Sequence, residues 1–384
     1  MPIRFLYVDD DKVEQLQPLI DEIIFYSEGM LEIEHIQVCS MQTVKCKFLD
    51  ECFDGLIIDQ KLDAANELNE TVDYWGTSLA QNLRTEMIGG GIPTSPIVLL
   101  SNEDVFVKYY NTDESAHNLF DFTLGKTKVS RNTKYAQQAS RVIVALANAY
   151  QVAREQTLPL VDTGGKPFDL LEPLLKWDQS IFEYTDKRFV EYASSKSADV
   201  HTLVSLILNS LVRSAGILVT EEMLATKLGI DIQASADWNN LKLSLEPYKY
   251  VGAFSNLKDR WWMSRIEDWW YDNYEGSQVI RGLTANERVV AIKEITTLEN
   301  LVAITPKYQN GKQSEKYWVN CIVSSTPLDP YDALIANKVD LKPWEELLYL
   351  DAETVFNREH SPDFTVHSDS QKKVKSLYRR LTDG

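Results

Sequence analysis

Short apolar runs near the start of the chain repeatedly end on residues that can do chemistry. In "IRFLYVDDDK", Phe5 to Val8 lead into Asp9, Asp10 and Asp11. In "FDGLIIDQKL", Leu56 to Ile58 lead into Asp59, "PIVLL" leads into Ser101, and "FDFTL" is followed by Gly125 and Lys126. Two or three grouped carboxylates can hold a hard cation such as Mg2+, which keeps several of its waters. One carboxylate can also attack a phosphoryl group as a nucleophile. A metal and a lysine would neutralise the phosphoryl oxygens, which is most of what phosphoryl transfer asks of a protein. A hydroxyl would then bond one of those oxygens.

These residues serve one site only if the fold gathers them. Strand-like runs occur at Phe5–Val8, Ile33–Cys39, Leu56–Ile58, Pro96–Leu100 and around Phe120–Leu124. Between them lie helix-compatible segments at Lys12–Tyr26, Met41–Cys52, Thr77–Glu86, Asn102–Tyr110 and Lys134–Ala153. In the first, Val13, Leu16, Leu19, Ile20, Ile23 and Ile24 form a helical stripe. Strands alternating with helices predict an α/β fold, a doubly wound five-stranded parallel sheet covered on both faces. Ligands of such sheets sit at the carboxyl ends of the strands. Asp9, Asp10, Asp59, Ser101 and Lys126 all fall there.

With "LYVDDDK", "DGLIIDQ", "GTSLAQNLR", "PIVLLSNE" and "TLGKT" in this order, residues 1–155 resemble a response-regulator receiver domain of two-component signalling. The resemblance implies a flavodoxin-like sheet and a phosphoryl group received from a histidine kinase. It implies Asp59 as phosphoacceptor, and Asp9, Asp10 and Asp59 as Mg2+ ligands together with the Lys61 carbonyl. Ser101 would be the switch hydroxyl, and Lys126 would pair with the phosphoryl group. The sequence departs from the family in three places. The loop after Asp59 is long, so the family's glycine falls at Gly76, and the acidic insertion reads as a solvated loop, with a lid or a partner-docking segment as the alternative. Thr127 stands where a proline usually follows the lysine. The aromatic switch position falls between Phe122 and Thr123.

A different chemistry fits part of the pattern. "YVDDDKV" also resembles the first motif of haloacid-dehalogenase-type phosphatases, with Asp9 as nucleophile, Asp11 as acid/base, and Ser101 and Lys126 as later motifs. The last acid would have to be Asp162, and Asp59 would have no role.

The net charge of −18 limits the partners. Residues 1–150 hold 12 Lys+Arg against 23 Asp+Glu, and the remainder 27 against 34, so both parts repel nucleic acid over most of their surface. No apolar stretch approaches the roughly 20 residues that cross a bilayer, and "MPIRFLYVDDD" does not read as a signal peptide. Cys39, Cys46, Cys52 and Cys321 form no C-x-x-C pair, so a cytoplasmic protein without disulfides or a zinc ribbon is expected.

The prolines and glycines of "EQTLPLVDTGGKPFD" predict a linker over 156–167. A helical and α+β region is expected over 168–384, with His201 structural at a helix start. The order helix, turn, helix, hairpin over 217–263 resembles a winged helix. Its helices are expected at Glu221–Leu228 and Ala236–Glu246, and its two strands around Asn256. With 5 Lys+Arg against 6 Asp+Glu, this segment is read as a protein-contact module without specific DNA affinity. "RWWMSRIEDWWYDNY" reads as core, "TANE" as a capping box, "YQNGK" as a hairpin turn before a strand "KYWVNCIVSS", and His360, Asp363 and His367 as a weak metal pattern. The basic segment Ser370–Leu381 reads as a solvated helix or a strip for an acidic partner. No enzyme motif follows residue 160. The expected output is therefore contact with another protein or a second copy. The overall plan loosely resembles receiver proteins of bacterial phage-defence relays, and the alternative is an effector enzyme in 168–384.

Overall fold

The computed structural model describes residues 2–66, 69, 71–111, 114–307, 313–338, 340–357 and 364–382. Five strands, β1 (Ile3–Asp9), β2 (Leu31–Gln37), β3 (Gly55–Ile58), β4 (Ile97–Ser101) and β5 (Phe122–Gly125), form one sheet in the order β2-β1-β3-β4-β5. Every pairing is parallel. The alternation of runs predicted the doubly wound parallel sheet, and this order is its flavodoxin-like form, which the receiver resemblance implied. Strands β3 and β4 are buried at every residue, which is why they are apolar throughout instead of alternating.

The helices of this part are α1 (Val13–Phe25), α2 (Met41–Asp50), α3 (Gly76–Ile88), α4 (Glu103–Val105), α5 (Lys126–Arg131) and α6 (Thr133–Val152). Helix α1 packs with α5 and α6, whereas α2 packs with α3. Leu6, Val8, Leu56, Ile58, Ile97 and Leu99 belong to one core with Val44, Phe48, Leu79 and Leu83 of α2 and α3. The helix expected over Asn102–Tyr110 keeps only three α-helical residues and continues as a π-helical turn, Phe106–Tyr110.

The expected linker over 156–167 is mostly helical. Helix α6 runs through a π turn, Ala153–Thr157, into α7 (Leu158–Asp162), and α8 (Pro167–Leu175) follows. Pro167 sits in the first turn of α8, where a missing N–H costs nothing, and Pro159 directly follows the π turn inside the continuous helical path. The break is confined to 163–166, at the two glycines, and Gly164 takes a φ of +74°.

The chain divides into two compact units. Unit one comprises residues 1–176, 193–208 and 252–257, and unit two the rest. The division falls elsewhere than the expected 155/168 boundary because α8 packs on α6, as does α11 (Val200–Ile207), which follows α9 (Gln179–Tyr184) and α10 (Lys187–Ser195).

In unit two, β6 (Leu218–Thr220), α12 (Glu221–Leu228), α13 (Trp238–Ser244) and β7 (Arg260–Trp262) follow the winged-helix order. Strand β7 pairs antiparallel with β6 and is bridged on its other side by Lys249. The expected hairpin around Asn256 is thus reduced to one three-residue strand and a bridge. Helix α12 has the predicted bounds: Thr220 accepts from the Met223 N–H, and Gly229 ends it at φ +78°. Helix α14 (Met263–Asn273) and helix α15 (Ala285–Thr296), opened by the Thr284–Glu287 capping box, complete an aromatic core that includes Trp238, Trp261, Trp269 and Trp270. The strand expected over "KYWVNCIVSS" shrinks to Val319–Asn320. The turn at Asn310-Gly311, and His360 with Asp363, lie outside the described residues; His367 faces Asp369 at 3.5 Å. In the basic C-terminal helix (Ser368–Thr382), Lys373 donates to the Pro330 and Ala333 carbonyls and Arg380 pairs with Asp332 at 2.7 Å. No helix among the described residues is long and apolar enough to cross a membrane.

Candidate functional site

Register brings the strand-end residues together. The Asp59 N–H donates to the Val8 carbonyl, which sets Asp59 beside Asp9, and Ser101 pairs across to Gly125, the residue before Lys126. Asp9, Asp59, Ser101 and Lys126 are all buried, and Asp10 is half-buried. Ligand atoms of Asp9, Asp10 and Asp59 lie within 4.8 Å of one another. The ammonium of Lys126 sits 2.7 Å from Asp9, 3.4 Å from Asp59 and 3.5 Å from the exposed Asp11.

The acids are not equivalent. Both oxygens of Asp9 are engaged: one accepts from Tyr7 and faces Lys126, and the other accepts the Asp11 N–H at 2.9 Å. Asp59 accepts the Lys61 N–H at 3.0 Å on Oδ2, and its Oδ1 faces the Lys126 ammonium at 3.4 Å and the Ser101 hydroxyl. Its Oδ1 is buried without a hydrogen-bond partner of good geometry, and so is Ser101 Oγ, the hydroxyl that faces it. The strand-end set thus leaves two polar atoms unsatisfied in the interior, where such atoms are rare. Burial pushes Asp59 up to about 7; Lys126 opposes that shift and Asp9 adds to it. Burial also raises Asp10. Burial disfavours the charge on Lys126, but Asp59 and Asp9 outweigh it and hold the ammonium protonated above its ordinary range.

This donor set fits a hard divalent cation. It is all oxygen, it carries more negative charge than Lys126 can offset, and one buried oxygen lacks a partner. Gly76 occupies the position that the sequence suggested. A Cβ there would lie 2.1 Å from the Asp59 carbonyl oxygen, so only glycine lets α3 start against the acceptor loop. Helix α5 begins directly at Lys126 without a proline; Glu103 accepts the Lys128 N–H at 3.0 Å and holds that turn. Phe122 is half-buried and Thr123 exposed on β5.

Sequence reading missed three contributors. Tyr7 is two residues before Asp9 on one strand, hence on the same face, a period-two signal that was available. Gln60 is buried with an unpartnered Oε1, and Ala64 reaches Asp10 through its backbone; neither carries a signal in residue type. The phosphatase pattern is not assembled to the same degree: its last acid, Asp162, is an exposed residue ending α7 and not a strand. His201 lies on unit one's α11 and bonds Asp121, Tyr150 and the Asn118 carbonyl, a structural role.

No protein-family model and no curated relative matches the chain. Among solved structures, the chain is similar to the signal receiver domain of NarL from Mycobacterium tuberculosis, at 10% identity and a TM-score of 0.26, over 38% of this chain and 97% of that one. A signal receiver domain from Vibrio parahaemolyticus aligns at 15% identity and a TM-score of 0.27, over 40% and 97%. A response regulator receiver domain protein from Clostridium thermocellum aligns at 14% and 0.23, over 36% and 95%. The similarity to receiver domains covers the N-terminal two fifths, and the remainder of the chain is unrecognised.

Proposed function

We propose that unit one is a phosphoacceptor receiver that takes a phosphoryl group onto Asp59 from a histidine kinase and relays its state through protein contacts made by unit two. The observation that supports this reading is the asymmetry of the acids. Among the described acids of the cluster, Asp59 combines a buried oxygen that lacks a well-formed hydrogen bond with a facing ammonium and a facing hydroxyl. In the transfer, Asp59 Oδ1 forms a bond to phosphorus while the bond from phosphorus to the donor's imidazole nitrogen breaks, and that nitrogen keeps the electron pair. Lys126 stays protonated and faces the new oxygens. Ser101 Oγ donates to one of them, and the Lys61 N–H remains on Asp59 Oδ2. Asp9, Asp10 and Asp59, with the Lys61 carbonyl, would hold Mg2+, which when bound supplies charge neutralisation for the phosphoryl oxygens. Tyr7 and the Asp11 N–H keep Asp9 in its ligating orientation.

Unit two is read as a protein-contact module. Its winged-helix-like segment carries five cations, and four of them are held in ion pairs. Lys227 is buried against Glu346, Lys242 pairs with Glu221, Lys249 with Glu246 and Asp259, and Lys258 with Glu222, while Arg260 is half-buried. Little is left for a phosphate backbone.

Phosphate-affinity gels after incubation with acetyl phosphate and Mg2+ test the acceptor. The wild type is expected to shift, Asp59→Asn not to shift, and EDTA to abolish the wild-type shift. Equal labelling of both proteins, or labelling lost only in Asp9→Asn with phosphate released on turnover, would transfer the role to Asp9 and to phosphatase chemistry.

A further inference from the structure

The insertion after Asp59 is fastened at several points. Asn66 donates to the Val38 carbonyl at 3.2 Å and Tyr74 to the Cys39 carbonyl. Val72 and Tyr74 pack against the core under α2 and α3. The Trp75 ring lies 4.9 Å from Tyr109. A further tie reaches the acid cluster itself: the Ala64 N–H donates to Asp10 Oδ2 at 2.8 Å.

Asp10 needs such a tie more than its neighbours do. Lys126 reaches Asp9, Asp11 and Asp59, whereas no ion pair reaches Asp10 among the described residues. Asp10 is also half-buried and repelled by Asp9 and Asp11. Without a donor its side chain would turn outward to water. A carboxylate oxygen has two lone pairs, so one that accepts an N–H can still bind a cation. Hydrogen bonds from outside the ligand set commonly fix ligating carboxylates in this way.

We propose that the backbone amide of Ala64 positions Asp10 as a cation ligand, so that docking of the insertion and binding of a divalent cation strengthen each other. The proposal rests on the cation site described under the proposed function. Coupling of this kind is reciprocal: if the docked insertion tightens the cation, the cation tightens the insertion by the same factor.

The test uses the full chain and Mg2+ alone. Ala64→Pro removes the N–H, and Ala64→Gly keeps it. Calorimetric titration is expected to show Mg2+ binding weakened about tenfold or more in Ala64→Pro, with Ala64→Gly close to wild type. Hydrogen exchange of the peptide containing residues 61–66 is expected to slow on Mg2+ addition in the wild type and in Ala64→Gly. A second variant covers the case in which proline disrupts the loop locally: Asp10→Ala, in EDTA, is expected to speed exchange of that same peptide. Wild type that binds no Mg2+ would remove the cation site itself. Wild type that binds Mg2+, with Ala64→Pro binding it equally well or better, or with Asp10→Ala leaving exchange unchanged, would overturn the coupling and leave the site standing.

Discussion

The same sheet buries an aspartate at each of its two ends, and the two are treated in opposite ways. At the amino end, Asp121 accepts from Arg84 at 2.8 Å, from Tyr150 at 2.6 Å and from the Ile97 N–H at 2.8 Å, with His201 3.2 Å away. Burial would raise its carboxyl, but Arg84 and the His201 and Tyr150 bonds hold it well below the usual carboxylate range. At the carboxyl end, Asp59 is almost as buried, yet its Oδ1 faces Lys126 at 3.4 Å without a well-formed hydrogen bond, and burial pushes it up to about 7. Burial is common to both, so burial does not distinguish them. The difference is whether the fold supplies a partner for every lone pair. Asp121 is satisfied on every side and serves the fold, whereas Asp59 keeps capacity for a ligand.

The comparison is open to direct attack. The largest effect is expected at the satisfied end. Asp121→Ala leaves the Arg84 guanidinium buried without its carboxylate, and breaking a buried pair in this way costs about 3–5 kcal/mol. Urea denaturation should show that loss; a variant as stable as wild type would mean that Asp121 is no anchor.

The opposite sign is expected at Asp59. In EDTA at pH 8, Asp59→Asn should be more stable than wild type by at least about 1 kcal/mol, because it removes a buried charge that Asp9 repels. Mg2+ binds only the folded cluster, so it should stabilise wild type by about 2.7 kcal/mol at a hundredfold excess over its dissociation constant and the variant by less. The full chain is the right sample, since unit one includes residues 193–208 and 252–257. The pH dependence has a fixed sign. The folded Asp59 carboxyl, at about 7 against an ordinary 3.8, binds a proton more tightly than the unfolded one. Stability in EDTA should therefore fall as pH rises from 4 to 7, and Asp59→Asn should flatten that slope. A melting temperature that rises over this interval in wild type alone would reverse the assignment.

A smaller effect is expected at Tyr7. Tyr7→Phe removes one donor from Asp9 and leaves Lys126 and the Asp11 N–H in place. A loss of about 1.5 kcal/mol, typical of one hydrogen bond to a charged group, should appear in denaturation. An equal loss in Asp9→Ala/Tyr7→Phe relative to Asp9→Ala would show that the Tyr7 hydroxyl does not act through Asp9.

The sheet and its polar edge were legible in the sequence because strand burial writes continuous apolar runs, and parallel register places whatever follows those runs at one edge. Asp9, Asp59, Ser101 and Lys126 could be named on that ground alone. What was not legible rests on backbone or on distant partners. The Ala64 amide and the Glu103 cap on α5 depend on loop paths that residue types do not encode. The helical path through 156–162 is hidden in the sequence because Pro159 looks like a breaker, and residue types do not reveal the π turn that precedes it. The wing-like strands were overread for a related reason. The aromatic residues of "KYVGAFSNLKDRWW" suit a strand, and Trp261 and Trp262 do lie in β7, but Tyr250 and Phe254 are buried without belonging to a strand.

The close approach of Gly76 to the acceptor loop bears on how such a protein can change over time. The Gly76 N–H donates to the Gln60 carbonyl at 3.0 Å, so the insertion leaves and rejoins the acceptor loop at one point. A loop whose ends are already clasped can lengthen at little thermodynamic expense, roughly 0.6 kcal/mol for each doubling. The neck at Gln60 and Gly76 is therefore a natural graft junction. Sequence of quite different size and content could be spliced in there beside the acceptor while the strands and helices around it keep their places.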